Sequence, residues 1–253
     1  MIECKNVSLT IDKADIFKNL SLNVPNGGIT CLLGRNGSGK SSLLSCILKQ
    51  RRFEGNIEID SDNINALNER EISRSVSFLP QILPSPCVSV RELVSFGRYP
   101  YTGMMHTLSH ADRLKVDEAM SLTQTEEFSE RNVTTLSGGE KQRVFFAMLL
   151  AQDTPNVILD EPTTYMDAGC ELRFYSFLKL LRDSSRAVLV VMHDIAAALE
   201  QGDTFAFLNE GRLTCFQSAD ECIKEKAVET AFSLKPHKLE LDGKTRFLLT
   251  PEK

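Results

Sequence analysis

The sequence predicts an α/β fold: a mainly parallel sheet covered on both faces by helices, preceded by an antiparallel β region and interrupted by a mostly helical insert. Three observations predict it. After residue 150, apolar runs of strand length alternate with helical patterns, the arrangement that builds parallel sheets. A glycine-rich segment from Gly34 to Ser41 stands between a strand pattern and a helix pattern. Between residues 84 and 150 the periodicity is mostly helical.

The elements follow in order. Residues 2–10 and 20–24 read as strands with polar punctuation between them, and Asn26-Gly27-Gly28 reads as a turn. Ile29-Thr30-Cys31-Leu32-Leu33 is a short strand of the buried kind, and a helix is predicted over 40–49. Residues 57–60 and 76–79 are further strands. In the insert, 90–96, 111–123 and 140–152 carry helical spacing, and Ser109-His110-Ala111-Asp112 has the S-x-x-D spacing of a capping box. Strands are then predicted at 156–159, 187–192 and 204–208, with helices at 168–182 and 195–201. The tail reads as one helix over 219–232 followed by a hairpin turning at Asp242-Gly243.

At 253 residues the chain suits one large domain, here a core of about 1–83 and 151–253 with a helical subdomain of about 84–150. Apolar residues at 42% and charged residues at 25% supply an ordinary core and surface. The net charge of -5, without a basic block, argues against a life on nucleic acid. The N-terminus lacks a signal-peptide pattern, and no apolar run reaches the roughly 18–20 residues that span a bilayer. The seven cysteines include no C-x-x-C pair, which points to reduced thiols inside a cell. His106 and His110 are four apart but have no third ligand to complete a metal site.

Gly34-Arg35-Asn36-Gly37-Ser38-Gly39-Lys40-Ser41 matches G-x-x-x-x-G-K-[ST], with Ser42 next in the helix. This is the phosphate loop of a P-loop NTPase core. Its backbone N–H groups turn inward on phosphates, and the helix N-terminus adds partial positive charge. Gly34, Asn36, Gly37, Ser38, Gly39, Lys40, Ser41 and Ser42 are the candidate nucleotide-binding residues. Lys40 can reach the β- and γ-phosphates, and the Ser41 hydroxyl can meet Mg²⁺.

Asn156-Val157-Ile158-Leu159-Asp160-Glu161-Pro162 is an apolar strand ending in two acids. Ligands of parallel sheets bind beyond the carboxyl ends of the strands. Asp160 there suits Mg²⁺, and Glu161 is placed to take a proton from an attacking water.

Leu136-Ser137-Gly138-Gly139-Glu140-Lys141-Gln142-Arg143 precedes a helix that Ser137 can cap. With the phosphate loop and the acidic strand, LSGGE makes the chain resemble the ABC-type ATPases over nearly its whole length. The resemblance implies a helical ABC subdomain and a dimer in which Ser137, Gly138, Gly139 and Glu140 of one subunit face the ATP of the other. It also implies roles for Gln81, a Mg²⁺ or water contact, for His193, a γ-phosphate sensor, and for Asp167, a contact across the dimer. Two departures stand out. Ile11 occupies the position where relatives stack adenine on an aromatic ring, and Met166 stands where leucine is usual.

The same resemblance implies what the ATP drives. A single nucleotide-binding core with no spans of its own calls for polytopic permease subunits, docked on the segment after Gln81, and indirectly for an extracytoplasmic solute-binding protein. The subunit would then sit at the cytoplasmic face of the cell membrane. The segments 79–81, 90–100 and 160–167 look like those of importers for iron–siderophore complexes, haem and cobalamin. Two alternatives stay open: a zinc or manganese importer ATPase, and an ABC ATPase that serves no transporter.

Overall fold

The computed structural model describes residues 1–103, 107–163 and 168–252, with the side chain of Ala168 left aside. Asp167 and Met166, singled out above, lie outside the described residues, as does His106.

The chain opens with β1 (Ile2–Ile11) and β2 (Ala14–Val24), then β3 (Gly28–Leu33) and helix α1 (Lys40–Ile47). Next come β4 (Glu54–Ile59), β5 (Asp62–Asn63), α2 (Glu69–Ser75) and β6 (Val76–Leu79). The helical stretch supplies α3 (Val90–Phe96), α4 (His110–Leu122) and α5 (Gly138–Gln152). Strand and helix then alternate: β7 (Asn156–Asp160), α6 (Ala168–Asp183), β8 (Ala187–Val191), α7 (Ile195–Gln201) and β9 (Thr204–Asn209). The chain ends with β10 (Arg212–Phe216), α8 (Ala219–Lys224), α9 (Ala227–Phe232), β11 (Leu234–Leu241) and β12 (Lys244–Pro251).

The central sheet has the order β10-β9-β3-β8-β7-β6 and is parallel except for the β9–β10 hairpin. A separate antiparallel sheet, β2-β1-β4-β5, lies over one of its faces. Alternation along the central strands builds both layers. Ile29, Cys31 and Leu33 of β3, Val157 and Leu159 of β7, and Val188 and Val190 of β8 enter a core shared with α3, α4, α5 and α6. Their neighbours Leu32, Ile158, Leu189 and Val191 enter a second core with α1 and the antiparallel sheet. A strand buried on both faces cannot show the polar alternation of a half-buried strand, which is why these read as continuous apolar runs.

Two corrections to the sequence reading follow. The tail helix expected over 219–232 is two short helices, broken where Lys226 takes a left-handed φ of 52°. Strand β2 starts at Ala14, not near Leu20, because its first half pairs with β1 through Leu9↔Phe17, Thr10↔Asp15 and Ile11↔Ala14. The hairpin at Asp242-Gly243 is present, with φ of 52° and 70° at its two turn residues. No helix among the described residues is long and apolar enough to cross a membrane.

Candidate active site

The carboxyl ends of β3, β7 and β8 lie side by side in the sheet. β7 ends in Asp160 with Glu161 next, and His193 follows two residues after the end of β8, so the fold itself assembles the site. β3 runs into the glycine-rich loop. A Cβ on Gly34 would collide with the Leu208 carbonyl oxygen, so only glycine lets the loop lie flat on β9. Gly39, at the N-cap of α1, has a φ of 103° and sits 3.0 Å from the Ile16 side chain at the position of a Cβ. Asn36 and Gly37 stand exposed at the tip of the loop, with Ser38 and Ser42 half-buried on either side of Lys40.

Lys40 is only 5% exposed. Its ammonium donates to the carbonyl oxygens of Gly34 at 2.8 Å and Arg35 at 3.2 Å. Burial lowers its pKa, while the charges of Glu161 and Asp160 oppose that shift. The cation is thus held at the mouth of the loop, where a phosphate would bring more charge than two carbonyl dipoles do.

Asp160 ends β7 beside it. Burial raises its pKa, the neighbouring Glu161 adds to that, and a hydrogen bond from the Ser41 hydroxyl opposes it. Asp160 Oδ1 is buried without a hydrogen-bond partner, and so is Ser38 Oγ. A desolvated carboxylate with one oxygen unsatisfied and a serine hydroxyl on the same group is a hard oxygen set that fits Mg²⁺.

Glu161 follows with a left-handed φ of 49°, a conformation that costs a non-glycine residue about 1–2 kcal/mol. The turn aims its carboxylate between two partners. His193, just past β8, places Nε2 2.6 Å from Glu161 Oε1, and the Gln81 side-chain amide donates to Glu161 Oε2. The Glu161 side chain is 11% exposed and that of His193 43%, so the pair spans from the sheet end to solvent. Residues 40, 41, 81, 160, 161 and 193 therefore converge at one end of the sheet.

The Ser137–Glu140 turn is built differently. Ser137 caps α5 by accepting from the Glu140 N–H, and Glu140 accepts in return from the Ser137 N–H at 2.8 Å. Arg131 holds the Glu140 carboxylate at 2.8 Å. The turn lines a groove of about 750 Å³ with Gln81, Ile82, Cys170 and Arg173. Among the described residues, no hydrogen bond or ion pair joins the turn to Lys40, Asp160, Glu161 or His193.

Sequence reasoning passed over two contributors. Gln142, 7% exposed, donates from its side-chain amide to the Pro162 carbonyl oxygen at 2.8 Å. Arg35 ties the loop to α9 through the Ala231 carbonyl oxygen at 3.0 Å. Nothing in residue type marks either contact, since each joins segments remote in sequence.

The family model described as "ABC transporter" matches residues 17–164. A petrobactin import ATP-binding protein of Bacillus anthracis is 34% identical over 92% of this chain and 86% of its own length. The ferric enterobactin transport ATP-binding protein of Escherichia coli K12 is 30% identical over 91% of this chain and 86% of its own. Among solved structures, an inward-facing transporter described as metal-chelate type superposes with a TM-score of 0.85 at 22% identity, covering 99% of this chain and 96% of that one. A dimeric bacterial ABC transporter cassette superposes with a TM-score of 0.73 at 27% identity, covering 86% of this chain and 98% of that one.

Proposed function

This chain belongs to the ABC transporter family of ATP-binding subunits, and we propose that it powers an importer of iron–siderophore complexes through an ATP-driven cycle of dimer closure and opening. The observation that carries the ATPase reading is the convergence of Lys40, Ser41, Asp160, Glu161, Gln81 and His193 at the end of a parallel sheet. The backbone of Gly34 to Gly39 and the first turn of α1, with Ser41 and Ser42, cradle the phosphates of ATP. Lys40 exchanges its two carbonyl acceptors for β- and γ-phosphate oxygens. Mg²⁺ held by Ser41, Asp160 and Gln81 would supply charge to the phosphate oxygens as the γ-phosphoryl is transferred.

Glu161 is the general base. Its carboxylate is already oriented by Gln81 and His193, so it can accept the proton of an attacking water without reorganising. His193 meets the γ-phosphate from the other side. In a second copy, Ser137, Gly138, Gly139 and the N-terminus of α5 close over the same phosphate, and Asp167 contacts the partner across the dimer. Each chain thus offers one complete hydrolytic half and one lid for its twin.

The permease docks beside the Gln81 loop. Ile82 stands 82% exposed there, and a groove of about 710 Å³ lined by Arg70, Ser73, Phe96, Tyr99 and Pro100 lies between α2 and the helical stretch. In this reading the subunit sits on the cytoplasmic face of the membrane, below a permease that receives cargo from a binding protein outside. The cargo assignment is supported by relatives named for petrobactin, achromobactin, ferric enterobactin and hemin.

The test is co-purification of the tagged chain from detergent-solubilised membranes of its source cells. A stoichiometric polytopic permease, with loss of iron–siderophore uptake when this chain is deleted, is the expected result. A permease whose deletion strain instead loses zinc or manganese uptake would overturn the cargo. Recovery with non-membrane partners alone, while other permeases survive the preparation, would overturn the importer.

A further inference from the structure

The Glu161 backbone is held in a left-handed turn immediately before Pro162, although a residue preceding proline favours extended backbone. Something outside the turn must hold it. The Pro162 carbonyl oxygen accepts a 2.8 Å hydrogen bond from the side-chain amide of Gln142, which is buried in the second turn of α5. This bond ties the residue after the base to the helix that Ser137 caps. The first turn of α6 packs closely on the same stretch of α5. A Cβ on Gly139 would stand 2.6 Å from Cys170 Sγ in the first turn of α6, and the Arg173 guanidinium donates to that sulfur at 3.2 Å. The chain on either side of residues 164–167 thus meets one short stretch of α5, Pro162 through the bond from Gln142 and Cys170 through close packing on Gly139.

We propose that Gln142 is a positioning residue for hydrolysis: its amide fixes the Glu161–Pro162 turn to α5, so that the base aligned at one ATP depends on the seating of the Ser137 loop that the same chain presents to the other ATP. The proposal rests on Glu161 acting as the base. It adds a physical link between the two halves of the chain. When the loop beginning at Ser137 closes on the partner's nucleotide, α5 is seated, and through Gln142 the Pro162 carbonyl is seated with it. Without the amide, the left-handed Glu161 can relax toward extended backbone, and its carboxylate leaves the line between Gln81 and His193.

The phosphate cradle is not touched by this bond, so the effect falls on turnover and not on nucleotide affinity. The experiment compares the full-length wild type with Gln142→Met, close in length but without a donor, by steady-state ATP hydrolysis in Mg²⁺ over a range of ATP concentrations. The expected result is a kcat about tenfold lower, from the loss of one positioning hydrogen bond, with KM for ATP within about twofold. Gln142→Glu keeps the shape but faces the Pro162 carbonyl with an acceptor, and it is the second variant should the first fail to fold. Its kcat is expected to fall at least as far. Wild-type kcat in a folded variant overturns the proposal, and so does a loss carried by KM alone. Glu161→Gln runs beside them as a separate control. If it retains turnover, the assignment of the base is what fails. If it is inactive while the Gln142 variants keep wild-type kcat, only the positioning role fails.

Discussion

The two polar regions that the sequence marks most plainly are finished to different degrees. At the end of the central sheet, Lys40, Asp160, Glu161, Gln81 and His193 are bonded to one another or to the loop, with Lys40 buried and Asp160 and Glu161 half-buried. The Ser137–Glu140 turn is satisfied only by its own cap and by Arg131, and Ser137 and Gly138 face solvent. The first region has the orphaned Asp160 oxygen and the strained Glu161 of a site that stores its cost locally. The second has a capped helix end with the N–H groups of Gly138 and Gly139, left outside the capping box, available to meet an anion. In the function proposed above, the first is the reaction site and the second is a lid for the nucleotide of a second copy.

The largest effect should come from the reaction site. Glu161→Gln keeps the hydrogen bonds to Gln81 and His193 within reach but removes the base. ATP turnover should fall by roughly 10²–10⁴ with ATP binding retained, read by phosphate release and by nucleotide titration. A variant turning over near the wild-type rate would erase the distinction between the two regions.

A smaller loss should follow at the lid. Ser137→Ala should leave ATP affinity of the isolated chain unchanged and lower turnover by about 10–100-fold, the worth of a hydrogen bond to a charged phosphate. The lost N-cap also costs about 1 kcal/mol, a fall in Tm of about 2–4 °C. Weakened ATP binding by the monomer would mean that the turn serves its own chain's site.

The smallest effect separates two aspartates. Asp112 is held by Ser109 and by Arg98 at 3.0 Å, which lowers its pKa. Asp160 is raised by burial and by Glu161. The signs are opposite. The stability Asp112 supplies is full above its unfolded value of about 3.8 and is lost as pH falls through its lower folded value. The cost of ionised Asp160 is present at neutral pH and is relieved as pH falls through its raised value. Asp160→Asn should therefore raise the Tm of the nucleotide-free chain at pH 7, by about 2–4 °C. Asp112→Asn should lower Tm at pH 7, and the difference from wild type should shrink below about pH 4. Equal Tm changes of the same sign would break the contrast.

How much of this was legible depended on whether the signal was local. The phosphate loop and the acid pair are contiguous and sit at strand ends, so residue order alone placed them. Helix α4 announced itself through the Ser109 capping box, which the structure contains. Helix α2 has an equally good box from Asn68 to Glu71, but only Ile72 of its seven residues is buried, so it carries no apolar period and went unread. Strand β10 was missed for the same reason, since most of it faces solvent. Gln81 and His193 meet Glu161 from segments 80 and 32 residues away in the chain, and only the resemblance to known ATPases picked them out. The bond from Gln142 to Pro162 was invisible at every level short of coordinates.

The most direct test of the two-halves account is the solution mass of Glu161→Gln by light scattering, with and without ATP and Mg²⁺. The account predicts a monomer without nucleotide and a dimer with ATP, and it predicts that adding Ser137→Ala weakens that dimer. A chain that binds ATP and remains monomeric at every concentration would contradict it.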